Sequence, residues 1–157
     1  MVVQSCKTVR LHIFQLLNLS FGLKIEMTNM IDFDTWFRNI LAISDLIASE
    51  DALLKAWVGR DQTITSAYDY DELATQALDD LELEQKTESF SRELGKLNAL
   101  AETNTFVQAF LNVDKAVRDN PMLINPRNLL NSTRWVSLRN AAHELSAVPD
   151  VSLYRGV

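Results

Sequence analysis

The chain has 157 residues, enough for one domain around one core. Hydrophobic residues make up 47% and charged residues 23%, which excludes a disordered polar tail, and no run of roughly 18 uninterrupted apolar residues exists to span a membrane. The formal net charge of -6 argues against general nucleic-acid binding, since an acidic surface gains nothing from a phosphate backbone.

Residues 1–30 stand apart as an atypical N-terminal extension. Lys7, Arg10 and Lys24 face Glu26 alone, whereas the remainder holds twelve basic and twenty acidic residues. The apolar stretch from Leu11 to Leu23 is interrupted by His12, Gln15 and Asn18, with no small-residue cleavage site after it, so it reads poorly as a signal peptide. It is expected to dock on the core or to precede a natural start at Met27 or Met30.

Residues 31–157 read as a single helical domain. Asp32 or Asp34 caps a first helix carrying Trp36, Ile40, Ile43 and Ile47, with Phe37 and Leu41 beside them. Ser49 restarts the pattern through Leu53, Leu54, Trp57 and Val58, and Gly59 is expected to end it in the left-handed conformation. Residues 60–68 form a connection in which Thr63-Ile64-Thr65 has slight β-propensity. Ser66 or Asp69 caps a third helix with Leu73, Ala77 and Leu81. Thr87 is expected to start a fourth, bearing Phe90, Leu94, Leu97 and Ala101, a Glu88–Arg92 pair, and Gly95 at a close helix approach.

Thr103 or Thr105 opens a fifth helix with Phe106, Phe110, Val113 and Val117 inward and an Asp114–Arg118 pair outside. Asn120-Pro121 stops it, and a loop runs through Asn125-Pro126. Ser132 caps a sixth helix with Trp135, Leu138, Ala142 and Leu145, ended before Pro149. The tail from Val151 is a short strand or an extended segment docked on the body. The expected fold is all-α, an irregular bundle or array of about six helices, with Trp36, Trp57 and Trp135 in the core.

Chemistry-bearing motifs are sparse. The lone Cys6 cannot close an internal disulfide, which suits a reducing, cytoplasmic compartment. Only His12 and His143 supply imidazole, and four glycines leave no phosphate loop, dinucleotide fingerprint or nucleophile elbow. No cofactor and no metal are therefore expected. The conspicuous feature is Asp69, Asp71, Glu72, Asp79, Asp80, Glu82 and Glu84, seven acids in sixteen residues without a base among them. Asp80 and Glu84 are expected to repel at four-residue helical spacing. The paired carboxylate motifs of MazG-type and dimeric dUTPase pyrophosphohydrolases are absent, with Arg118 standing where a second acid would be needed. The calcium loop of an EF-hand fails as well, since Ala74 replaces its glycine. With no metal motif to hold it together, the cluster reads as a solvated acidic face or as a surface for a basic protein partner.

Arg139-Asn140-Ala141-Ala142-His143 resembles the Arg-Asn…His motif of the HEPN ribonucleases, though only three residues separate Arg139 from His143. That resemblance implies a metal-independent nuclease using Arg139 and His143. The uneven charge between the acidic middle and the basic stretch from Lys115 onward can pair within the fold or between two copies in a homodimer. More broadly, Phe33-Asp34-Thr35-Trp36, Tyr70-Asp71-Glu72-Leu73, Leu78-Asp79-Asp80-Leu81 and the segment from Arg134 to His143 follow one another in an order similar to small acidic helical proteins of bacterial mobile elements and toxin–immunity loci. That resemblance implies a non-enzymatic, inhibitor- or immunity-like binding module.

Overall fold

The computed structural model describes residues 31–155; the N-terminal extension and the last two residues lie outside the described part. Among the described residues there are eight α-helices and no strand.

Helix α1 spans Phe33–Ala48, and Asp32 caps it by accepting from the Thr35 amide at 2.9 Å. Its apolar stripe buries Trp36, Phe37, Ile40, Leu41, Ile43 and Ile47, as the spacing predicts. Ser49 ends α1 and caps α2, Glu50–Leu53, by accepting from Ala52. The chain then widens into a π-turn, Leu54–Val58, closed by the Gly59 amide on the Leu54 carbonyl at 2.9 Å. Gly59 does not take up the left-handed conformation; its φ is -75° and the positive φ falls on Arg60, at 56°. Space is what demands a glycine here, because a Cβ would lie 2.6 Å from the Lys55 carbonyl oxygen.

Residues 60–69 connect to α3, Tyr70–Ala74, which Asp69, not Ser66, caps on the Glu72 amide. A second π-turn, Thr75–Asp80, follows, and Glu82 at φ 46° turns the chain into α4, Leu83–Ser89. Asp80 and Glu84 therefore sit on two separate helical segments, not on one. Thr87 does not start a helix. It is buried inside α4, and its hydroxyl donates to the Leu83 carbonyl at 2.7 Å. After α5, Ser91–Lys96, the amides of Asn98 and Ala99 bond back to the Gly95 and Leu94 carbonyls, with Asn98 at φ 52°. This is a Schellman stop, and together with the break at Phe90 it divides the expected single helix from Thr87 to Ala101 among three helices. Gly95 meets no neighbouring atom within 4 Å, so it marks no helix approach, and no ion pair joins Glu88 to Arg92 among the described residues.

Helix α6, Leu100–Asp119, starts three residues before Thr103 and has no side-chain cap. Thr103 is instead buried, its hydroxyl donating to the Ala99 carbonyl at 2.7 Å. Phe106, Phe110, Val113 and Val117 face inward as expected. Asn120 caps a 3-10 turn, Pro121–Ile124, and Asn125 caps α7, Pro126–Leu130. The expected loop is thus a helical corner, since proline at the first helical position sacrifices no hydrogen bond. Ser132 caps α8, Thr133–Ala147, and a 3-10 turn, Pro149–Tyr154, docks by burying Val151. The tail is neither strand nor extended.

Helix α8 is the centre of the described unit and packs against both α1 and α6. Two bonds tie it to α1: Ser44 donates to the Ala142 carbonyl at 3.1 Å, and Ser146 donates to Asp45 at 2.9 Å. Ser44 and Ala142 are both fully buried at this contact. Trp135 is fully buried and meets Trp57 edge-on at 5.5 Å between ring centroids. A second aromatic cluster joins Phe33, Trp36, Phe37, Phe90 and Tyr154 at 5.2 to 6.3 Å, tying α1, the α4–α5 junction and the C-terminal turn together.

Candidate functional site

The acidic segment is built as a pinned strap. Three buried aromatic donors fasten it to the body. The Trp57 indole N–H donates to the Ala67 carbonyl at 2.9 Å, just before the acids begin. The Tyr70 hydroxyl donates to Asp114 on α6 at 3.2 Å, and Asp114 also pairs with Arg118 at 3.0 Å. The Trp36 indole N–H donates to the Leu81 carbonyl at 2.9 Å. Between these points Leu73 and Ala77 are fully buried, so the strap presents one face to the core. Burial and the neighbouring Asp114 carboxylate raise the Tyr70 pKa far above its ordinary value, which keeps the hydroxyl a donor.

All seven acids are exposed, so the structure brings them to one solvent-facing strap, as the sequence predicts. They are not equivalent. Asp69 is committed to capping α3, and Glu82 lies 3.7 Å from Lys86. Among the described residues, no ion pair engages Asp71, Glu72, Asp79, Asp80 or Glu84. The basic C-terminal stretch does not neutralise them. Arg139 pairs with Glu50 and Arg155 with Asp45, acids that lie outside the strap. Nor do three His, Cys, Asp or Glu side chains converge into a metal-binding group among the described residues.

Beside the strap lies a hollow of about 320 Å³ between α1 and the second π-turn. Ala42, Ile43, Leu46 and Leu81 give it an apolar lining, Asn39, Thr65, Ser66 and Gln76 a polar one, and the exposed Asp80 borders it. Sequence reasoning missed Ala42, Leu46 and Gln76. Leu46 carried no signal separating a hollow wall from an ordinary core position, because the hollow exists only where the strap crosses α1.

Arg139 and His143 lie four residues apart on α8, as expected. Arg139 is held by Glu50, and His143 is exposed; neither borders a described hollow. No helix among the described residues is long and apolar enough to cross a membrane. Comparisons of the chain with protein-family models, with curated proteins and with solved structures found no match.

Proposed function

We propose that this protein is a non-enzymatic interaction module that binds a basic protein partner through the strap from Asp69 to Glu84, in the manner of an inhibitor or immunity protein. The observation that carries this reading is the hollow beside Asp80. An apolar lining with a carboxylate at its border matches a lysine or arginine of the partner, whose aliphatic stem would lie on Ile43 and Leu46 while its charged head meets Asp80. The surrounding acids would raise the association rate by long-range attraction, and salt would weaken it. A strap fixed by three aromatic donors binds without first ordering itself, which saves entropy on association.

Two variants test the reading separately. Asp79→Lys, Asp80→Lys, Glu82→Lys and Glu84→Lys together reverse the strap, and Ala42→Trp fills the hollow without touching the charge. Both should lose the partner captured by the wild-type chain from its native host, with helical circular dichroism unchanged. Equal capture by both variants refutes the proposal.

A further inference from the structure

A second groove lies between α6 and α8, with a volume of about 640 Å³. Its α6 wall carries Asn104, Gln108 and Asn112, an i, i+4, i+8 row of exposed carboxamides. No hydrogen bond occupies these three amide groups among the described residues. Polar solvation alone would be served by charged side chains; a row of carboxamides offers a donor and an acceptor at every rung, which is the pattern a peptide backbone presents in return. The spacing agrees. Rungs four residues apart rise about 6 Å along a helix, against about 6.7 Å for two residues of an extended strand. The mismatch over three rungs is about 1.4 Å, within the reach of these side chains.

The ends of the groove carry opposite charges. Arg134 stands at one end of the α8 wall and Glu144 at the other. Beyond Glu144 the groove passes into a hollow lined by Glu102, and one Glu102 carboxylate oxygen is buried with no hydrogen-bond partner among the described residues. A buried acceptor without a donor costs free energy, so this end is incomplete as it stands. A cationic group would complete it. The floor between the ends is Ala109 and Ala141, with no aromatic ring in the lining, which favours a peptide over a sugar needing a stacking surface.

From these features we infer that the α6–α8 groove binds an extended peptide segment of a partner, its backbone bonded to Asn104, Gln108 and Asn112, with a lysine or arginine at the Glu102–Glu144 end. An acidic side chain or a free C-terminal carboxylate takes the Arg134 end. Arg134 and Glu144 are ten helical residues apart, about 15 Å, which an extended chain covers in four to five residues. The site stands on different residues from the acidic strap and holds whether or not that strap recruits a partner.

The test is selection of a displayed library of random nine-residue peptides on the full-length chain, followed by NMR with the selected peptides. Enriched sequences should carry a basic residue four or five positions from an acidic residue or a free C-terminus. The side-chain amide resonances of Asn104, Gln108 and Asn112 should shift on titration. Asn104→Ala, Gln108→Ala and Asn112→Ala together should weaken binding about tenfold or more. Glu102→Gln with Glu144→Gln should abolish the preference for the basic residue, while the strap-reversed chain should bind as the wild type does. Failure to enrich any sequence, equal binding by the triple alanine chain, or unmoved carboxamide resonances overturns the inference. So does a shift of those resonances by maltopentaose and by no peptide. The resonance measurement on the wild-type chain stands even if the triple variant fails to fold.

Discussion

Trp36→Phe probes the strap at its downstream anchor. Trp36 is fully buried, and its indole N–H reaches the Leu81 carbonyl at 2.9 Å. Phenylalanine keeps an aromatic ring against Phe33, Phe37 and Phe90 but cannot donate. The smaller ring buries roughly 40 Å² less surface, about 1 kcal/mol at ~25 cal/mol per Å². The space left behind adds about 1 kcal/mol, because a packed core closes only in part. Leu81 is half-buried, so its orphaned carbonyl costs about 1 kcal/mol, near the low end for a lost partner. The total is about 3 kcal/mol, read by urea unfolding, or roughly a 6–12 °C fall in Tm for a chain this size. Amide exchange from Ala74 to Leu81 should accelerate more than exchange in α6. A loss below about 0.5 kcal/mol with an unchanged m-value would refute the claim that this indole holds the strap.

Glycine substitutions give opposite signs. Gly95→Ala should raise stability by about 0.5–1 kcal/mol in urea unfolding, since nothing lies within 4 Å of the new methyl and the helix gains propensity. Gly59→Ala should lower it, because the methyl meets the Lys55 carbonyl. Asn98→Val should cost about 1–2 kcal/mol at its positive φ, whereas Asn98→Gly should stay within about 0.5 kcal/mol despite losing the 3.1 Å bond to Asp150; chemical denaturation of both checks this. The Tyr70 pKa is raised, chiefly by burial, above the 10.0 of an unfolded tyrosine. Its contribution is thus fully present below pH 10 and is lost as pH rises through the folded value. Stability should fall above about pH 10, and Tyr70→Phe should flatten that fall in pH-dependent unfolding.

The all-α architecture was legible because Trp36, Phe106 and Trp135 each begin or anchor a stripe of helical period, and that period follows from the geometry of burial. The caps were legible where the capping residue is short and acidic or a serine, at Asp32, Ser49, Asp69 and Ser132. Threonine misled. Thr87 and Thr103 satisfy their hydroxyls on a carbonyl one turn back, so a residue that can open a helix can also sit buried inside one. Asn98 and Asn125-Pro126 carried readable stop and start signals that hydrophobic spacing alone overlooks. The two π-turns had no local signature, since neither Leu54–Val58 nor Thr75–Asp80 holds a proline or glycine that would interrupt an α-helix. Of the candidate surfaces, the exposed acids were plain from composition. The hollow beside Asp80 and the carboxamide row at Asn104, Gln108 and Asn112 required knowing which helices lie side by side.

The most direct test of the account is hydrogen exchange on the intact chain, followed across the peptides spanning residues 69–84 in wild type and in Tyr70→Phe combined with Trp36→Phe. A strap clamped by aromatic donors predicts wild-type protection at Leu73 and Ala77 close to that of α6, with a drop of at least about tenfold in the double variant. Exchange within seconds in the wild type, or identical protection in both chains, would mean that these carboxylates ride on a segment the body does not hold.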